Sequence, residues 1–329
     1  MTASEARCTL PGLNGDGLTG AAYYLDAQTQ DARLVIDTLR SAANHHAVLR
    51  NYCSYQKATR AKNSWQVEVH DHISGESHTI QAAAIVNATG PWSPVIPNSG
   101  TRLRLTKGVH LVVERRRLLI TDAAVLTEGK RILFLIPWGS RLIIGTTDTD
   151  YDGPIANPEV TREDIHYLLG EVNRWFPELI LREDEVKASW AGLRPLVAKA
   201  DGSPSDISRK HEISSPQPGW YDVTGGKLTT YRLIAEQTVD RLMKDLGRSA
   251  VNCMTASTPL IKDCRYSGII PPDPTNDAID WFIDHEWAMS VEDIMHRRVA
   301  WATYADNPGE VAGKVLRRVQ ERGILGANI

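Results

Sequence analysis

Cysteine is scarce and scattered in this sequence. The 329 residues contain four cysteines, Cys8, Cys53, Cys253 and Cys264, and none of them forms a CxxC pair. Without paired spacing, neither a zinc site nor a disulfide framework is predicted. We therefore expect a protein of a reducing compartment, the cytoplasm.

Long hydrophobic runs are also absent. No window reaches the roughly 18 consecutive apolar residues that are typical of a membrane-spanning helix. The start, "MTASEARCTLPGLNGDG", lacks the basic segment and apolar stretch of an export signal. We expect neither export nor a membrane span, and peripheral contact with the inner face of the cytoplasmic membrane stays open.

An excess of either charge is missing as well. The formal net charge is −3 and there is no arginine-rich arm, which argues against nucleic acid as the main partner. With 42% apolar and 23% charged residues, the chain can bury a core and is expected to build two or three structural units.

The pattern over residues 29–90 predicts a helix, a strand, a hairpin and a second strand. Residues 29–46 place apolar side chains on one helical face, and residues 47–60 are typical of a strand. Residues 64–72 alternate with period two, and "AAAIVNATG" at 82–90 is a short buried strand that ends in glycine.

From about residue 102 the sequence is rich in strand patterns, which predict a mostly antiparallel sheet. A helix is predicted at 161–179, where Thr161 and Asp164 form a capping-box pattern at its start. From about residue 250 onward, the patterns at 290–304 and 309–323 predict a small helical unit.

A single GxGxxG pattern occurs at Gly15, Gly17 and Gly20. It indicates a dinucleotide site only if a strand leads into the first glycine and a helix begins at the third. The residues before it make a poor strand and those after it a poor helix start. We therefore interpret it as a flexible glycine-rich lead-in.

The segment "GGKLTTYR" at 225–232 follows the strand-like "WYDVT" and precedes a helical pattern. It is not a Walker A motif, because Tyr221 stands where that motif needs glycine and Leu228 where it needs Ser or Thr. Backbone amides and the positive end of a helix dipole could still meet an anion here. A plain helix start with a solvated lysine is an equal alternative.

Residues 86–92, "VNATGPW", end a buried strand in a turn of small residues. Such a bare backbone can approach a flat ligand or a phosphate closely. The alternative is an ordinary turn.

Several single residues have both a functional and an ordinary interpretation. Arg194 lies between apolar neighbours, so it requires an anion or, as the safer interpretation, an internal salt bridge. Arg209 alone is an ordinary surface residue. His110 fits a hydrogen-bonded core histidine or an acid/base group. His70 and His72 have no third ligand in view, so we interpret them as exposed residues and predict no metal site.

Six segments together resemble the FAD-dependent, aerobic glycerol-3-phosphate dehydrogenases. They follow the order of that family across roughly residues 20 to 247, and "HEWAMSVEDIMHRRVAW" resembles its helical cap. The six segments are "YYLDAQTQDARLVIDTL", "IVNATGPW", "RLTKGVHLVV", "FLIPWGSRLIIGTTDTDY", "AGLRPL" and "TGGKLTTYR".

The resemblance implies an α/β chain: a partial glutathione-reductase-like FAD-binding fold with an inserted, mostly antiparallel substrate sheet and a C-terminal helical cap. The implied domains are 1–97 (partial FAD-binding), 98–214 (substrate sheet), 215–249 (return to the FAD-binding domain) and 250–329 (helical cap). It also implies oxidation of sn-glycerol 3-phosphate to dihydroxyacetone phosphate, with hydride leaving C2 for the flavin and electrons passing to a quinone or another acceptor.

Residue roles follow from matching motifs. Arg194, Arg209 and Lys227 correspond to cations that surround the substrate, and His110 to the histidine proposed to take or steer the hydroxyl proton. Arg194 and Lys227 therefore stand with His110 as the expected catalytic residues. The expected contacts to FAD come from the following residues: Val48, Thr89, Gly90, Gly225, Gly226, Lys227, Leu228 and Thr229.

The sequence departs from the family pattern at its start. The family begins with a strand, a GxGxxG turn and a helix that bind the FAD pyrophosphate, and we expect this N-terminal unit to be missing here. Its loss should leave the "VNATG" and "WYDVT" strands without neighbours. Three alternatives therefore accompany the dehydrogenase assignment: a non-catalytic fragment, one part of a split flavoenzyme, and a related flavoprotein that oxidises amines or amino acids. A homodimer also stays open.

Overall fold

The computed structural model describes residues 1–129, 131–197, 210–249 and 251–324. The helices are α1 Ala3–Thr9, α2 Asp31–Asn44, α3 Arg162–Trp175, α4 Tyr231–Asp245, α5 Asn276–Glu286, α6 Trp301–Tyr304 and α7 Pro308–Glu321. The strands are β1 Cys53–Ala61, β2 Ser64–Asp71, β3 Ser77–Ala82, β4 Ile85–Asn87, β5 Leu103–Glu114, β6 Ala124–Glu128, β7 Arg131–Trp138, β8 Arg141–Gly145, β9 Thr149–Asp150, β10 Ala188–Val197, β11 Glu212–Gln217 and β12 Trp220–Thr224.

The largest sheet is antiparallel, as the sequence predicted. Its strand order is β10-β5-β8-β7-β6, and the short β9 pairs with β5. Side chains alternate between two faces along each strand. One face carries Val109, Leu111, Leu135 and Ile144, all fully buried, and it forms the main core together with α3.

Helix α3 begins at the predicted capping box. Thr161 Oγ1 accepts a hydrogen bond from the backbone N–H of Asp164, whose carboxylate accepts one from the Thr161 N–H. Leu168 and Val172 are fully buried on the face that packs against the sheet. The apolar face of this helix therefore covers one side of the sheet, and the other side is left for other contacts.

Strands β4 and β12 form a parallel pair at one end of the sheet β11-β12-β4. Their register joins Trp220 to Ile85 and Asp222 to Asn87. The expectation that these strands would lack neighbours was wrong, because they pair with each other. Among the described strands, β4 has a partner on one edge only.

The hairpin and the strand before it form the antiparallel meander β1-β2-β3, whose Trp65 packs edge-to-face on Trp220. The strand predicted from residue 47 begins only at Cys53. His46 and Tyr52 adopt positive φ angles of 69° and 52°, which interrupt an extended chain. The apolar composition of residues 47–52 was therefore misleading.

The N-terminal segment is more ordered than the predicted lead-in. Thr2 and Glu5 form a capping box at the start of α1, and Leu13 lies in the core of the six-stranded sheet. No strand leads into Gly15 and no helix begins at Gly20 in this described segment. The rejection of the GxGxxG pattern as a cofactor loop is consistent with both observations.

The C-terminal helices share a core of their own, which includes Phe282, Trp301 and Val315. The helix predicted over 290–304 is broken into a π-helical turn, Asp293–Arg298, and α6, because Val299 is extended with ψ at 146°. The domain boundaries predicted from the sequence stay predictions.

Candidate active site

His110 lies in the middle of β5, on the sheet face opposite α3. Its imidazole stacks on Trp190, with 5.2 Å between ring centroids and 14° between planes. On the other side it lies over Gly145, where an added Cβ would come within 2.6 Å of Nε2. Both neighbours fix the plane of the ring.

The imidazole is held in its neutral form. Nδ1 is buried and has no hydrogen-bond partner among the described residues. Burial and, to a smaller extent, the positive charge of Arg194 together lower the pKa of His110 to about 4, although Asp31 at the start of α2 opposes both. At neutral pH the ring can therefore accept a proton.

Arg194 lies on β10 and is partly exposed. Its Nη1 donates to the carbonyl of Thr147 at 3.1 Å and to Asp148 Oδ1 at 3.2 Å, and its Nη2 donates to Thr146 Oγ1 at 2.9 Å. The internal salt bridge that the sequence favoured is thus present, with Asp148. The contact is a partly exposed one, and the guanidinium is not buried.

A glycine makes room for Arg194 as Gly145 does for His110. A Cβ added to Gly108, on the neighbouring strand, would lie 2.6 Å from the Arg194 Cζ. Gly108 pairs with Gly192, while Trp190 pairs with His110 and Arg194 with Thr106. Since paired antiparallel residues point to the same face, the register places His110 and Arg194 on one face, two pairs apart.

The two glycine turns predicted to meet the cofactor are the one after β4, with Gly90, and the one after β12, with Gly225 and Gly226. They lie side by side. Because β4 and β12 are parallel, the turns that follow them leave the same edge of the sheet, which is where α/β proteins bind ligands. Gly90, Gly225 and Gly226 have φ angles of 57°, 70° and 87°. Side chains rarely adopt this left-handed region, so the backbone of both turns requires glycine.

This edge adjoins the sheet that carries Arg194. A Cβ at Gly225 would lie 3.1 Å from Val197 Cγ2, at the end of β10. Lys227, Leu228 and Thr229 follow as exposed residues in a short 3-10 turn that leads into α4. The predicted α-helix therefore begins three residues later than the glycine turn alone would suggest, at Tyr231.

One predicted residue does not join this arrangement. Val48 is 82% exposed and lies before β1, so its assignment to a strand was wrong. Arg209 lies outside the described residues. His70 and His72 make an edge-to-face ring contact at 4.9 Å, and no group of three metal-ligating side chains occurs in the described part of the chain.

The sequence reasoning missed a polar pair beneath the turns. Asn87 Nδ2 donates to Asp222 Oδ1 at 2.8 Å, and its Oδ1 accepts from the hydroxyl of Thr89 at 2.7 Å. Asp222 also accepts from the Trp220 indole and the Gly100 amide. The available signal was polar residues inside two short, otherwise apolar strands, since buried polar groups require partners.

No helix in the described residues has both the length and the apolar character to cross a membrane.

The family model of the FAD dependent oxidoreductases, DAO, matches residues 1–241. Among curated relatives, the aerobic glycerol-3-phosphate dehydrogenase of Staphylococcus epidermidis is 36% identical over 271 residues, and that of Staphylococcus aureus is 37% identical over 268. Both matches cover 78% of this chain and 48% of the relative. The chain thus spans about half the length of these relatives.

Among solved structures, the glycerol-3-phosphate dehydrogenase from Bacillus halodurans, complexed with FAD, matches 98% of this chain and 75% of its own. The TM-score is 0.84 at 28% identity. Glycine oxidase from Geobacillus kaustophilus matches 78% of this chain and 65% of its own, with a TM-score of 0.57 at 21% identity, a likeness that shows the fold alone. With the family model covering most of its length, the chain belongs to the FAD-dependent oxidoreductases, and FAD is the cofactor of that family.

Proposed function

We propose that the protein serves the FAD-dependent oxidation of sn-glycerol 3-phosphate to dihydroxyacetone phosphate, with electrons passed to a quinone or another acceptor. The observation that carries this proposal is that a neutral His110 and a partly exposed Arg194 lie on the same face of the sheet. An alcohol that carries a phosphate needs both groups: a proton acceptor for the hydroxyl and a cation for the anion.

The described residues fit a bound flavin. The left-handed glycines at 90, 225 and 226 bring bare backbone to the carboxyl edge of β4 and β12, and a Cβ at Gly226 would collide with Ile234 at 2.5 Å. Thr89 and the amides that follow Gly226 would hold the isoalloxazine, with the positive end of the helix dipole of α4 behind them.

The protein's share of the chemistry is binding and proton transfer. The guanidinium of Arg194 would bind the phosphate through paired donors, with Lys227 adding a second positive charge. His110, stacked on Trp190, would take the proton of the C2 hydroxyl. FAD, when bound, supplies the two-electron acceptor for the hydride that leaves C2.

The test of His110 compares turnover with cofactor content. We expect His110→Ala to lower turnover by about two orders of magnitude or more while FAD content stays unchanged, since the predicted cofactor contacts lie on other elements. The matched control is His166→Ala. His166 is an exposed histidine on α3 that contacts Glu183. Unchanged turnover in His110→Ala would remove this residue from the mechanism.

A direct test of the whole proposal is an anaerobic titration of the purified chain, reconstituted with FAD, with sn-glycerol 3-phosphate. Bleaching of the flavin absorption band supports the proposed substrate. Flavin that is retained but bleached only by an amine or amino acid would instead support the related oxidases. A chain that retains no flavin would support the non-catalytic or split-enzyme alternative.

A further inference from the structure

Three contacts that Arg194 makes with described residues fall into two groups. The Thr147 carbonyl and the Thr146 hydroxyl are neutral acceptors that orient the guanidinium at 3.1 and 2.9 Å. Asp148 is a charged partner, contacted at 3.2 Å through one oxygen. Charge-assisted hydrogen bonds to carboxylates are commonly about 2.7–2.9 Å long, so the ionic contact is a loose one.

Two other cations on the same sheet are themselves buried. Lys107 and Asp164 are 2.5 Å apart, with side chains only 9% and 8% exposed, and Arg141, 2% exposed, pairs with Glu114. By contrast, the side chains of Arg194 and Asp148 are 27% and 30% exposed. Only a pair that water reaches can exchange one partner for a dissolved anion at small cost.

We propose that Asp148 is a displaceable counter-ion, which neutralises Arg194 until the anionic substrate arrives and thereby sets the affinity of the site. An incoming phosphate competes with Asp148 for the guanidinium. The carboxylate can then turn to solvent, while Thr146 and Thr147 keep Arg194 in place over Gly108. Asp148 is thus a positioning residue, and the inference rests on the anionic substrate of the proposed function.

The chain offers a control for the removed charge. Asp150 also lies next to this strand edge and pairs with Arg104, through two contacts of 2.6 Å each. Asp150→Asn removes the same charge as Asp148→Asn but leaves the Asp148 contact to Arg194 intact. A general change in the field would tighten anion binding in both variants, whereas removal of a competitor acts in Asp148→Asn alone.

The experiment measures the Kd of inorganic phosphate for the full chain by isothermal titration calorimetry at fixed ionic strength. We expect Asp148→Asn to lower this Kd by about two- to fivefold, Asp150→Asn to leave it unchanged, and Arg194→Gln to abolish binding. In the reconstituted enzyme, Asp148→Asn should lower KM and leave kcat unchanged.

Several outcomes would overturn the inference. If Asp148→Asn binds phosphate as the wild type does, or more weakly, Asp148 is inert or purely structural. If Asp150→Asn lowers the Kd of phosphate as much as Asp148→Asn does, the cause is a general change in the electrostatic field and not the loss of a counter-ion. If Arg194→Gln still binds phosphate, the anion binds elsewhere. The proposed function fails separately, if sn-glycerol 3-phosphate does not reduce the flavin although phosphate binding follows the expected pattern.

Discussion

The polar side chains of the parallel pair β4 and β12 differ in their partners from His110 and Arg194 of the six-stranded sheet. In the pair, Asn87 and Asp222 are buried and bond to each other and to neighbouring donors. In the sheet, His110 has a buried Nδ1 without a partner among the described residues, and Arg194 meets a partly exposed carboxylate. Satisfied polar groups maintain a fold, whereas groups with unmet or exchangeable partners are available to a ligand.

The largest loss of stability is expected from a substitution in the parallel pair β4 and β12. Asp222→Ala removes the acceptor of the Trp220 indole and of the Gly100 N–H, and it leaves the Asn87 amide only its contacts with Ser93. Since each buried unpaired donor costs about 1–3 kcal/mol, we expect the free energy of unfolding to fall by about 3 kcal/mol or more. Urea denaturation followed by tryptophan fluorescence measures this change.

The control for Asp222 is Asp245→Ala. Asp245 is exposed, contacts the Tyr221 hydroxyl and Arg241, and should cost less than about 1 kcal/mol. If both variants lost the same free energy of unfolding, the buried hydrogen bonds of Asp222 would stabilise the pair no more than the exposed contacts of Asp245 do.

A smaller loss is expected when the sheet is overpacked. Gly145→Ala places a methyl group against the His110 ring, 2.6 Å from Nε2, and overpacking typically costs about 1–3 kcal/mol. The same denaturation experiment measures it. Gly170→Ala, on the exposed side of α3 with no atom within 4 Å, should instead stabilise by about 0.5–1 kcal/mol. A neutral Gly145→Ala would show that the ring is not confined.

Local patterns predicted the parts of the fold that local physics decides. The Thr161 and Asp164 spacing located the start of α3, and the β-type runs of β5, β7 and β8 predicted the antiparallel sheet. The strand prediction for residues 47–52 was wrong because a hydrophobicity pattern does not reveal the positive φ angles of His46 and Tyr52. The helix over 290–304 failed because the chain becomes extended at buried Val299.

The sequence proposed the candidate site as a set of residues but not as an arrangement. Motif resemblance singled out His110, Arg194 and the two glycine turns, and strand register then placed the first two on one face. Neither Asp148 nor the partnership of Asn87 with Asp222 could be read from spacing, because each pair is formed between separate elements. Gly108 and Gly145 were equally invisible, since a glycine in a strand shows its purpose only when the neighbouring side chain is seen.

The environment of His110 can be tested without any cofactor. Trp190→Leu admits water to the stacked imidazole, so the pKa of His110 should rise from about 4 toward the ordinary 6.5. The ring would then be partly protonated at pH 5.5, where the wild type is neutral, and in the chain reconstituted with FAD turnover should fall on the acid side. NMR titration of the ring protons measures the shift. Trp175→Leu, at the end of α3 behind the opposite face, is the control, and an unmoved pKa in Trp190→Leu would contradict the assigned cause.

The smallest change in stability should accompany a clear change in binding. Gly108 and Gly192 face each other across β5 and β10, but a Cβ at Gly108 meets the Arg194 guanidinium while one at Gly192 meets nothing within 4 Å. Because the obstructed group is the far end of a long and partly exposed side chain, Gly108→Ala should alter the unfolding free energy by less than about 0.5 kcal/mol. It should nonetheless displace Arg194 from Thr146 and weaken phosphate binding by about tenfold. Gly192→Ala should change neither quantity. Calorimetry and denaturation on the two variants separate the roles, and equal phosphate affinity in both would mean that the space above Gly108 has no part in holding the anion site.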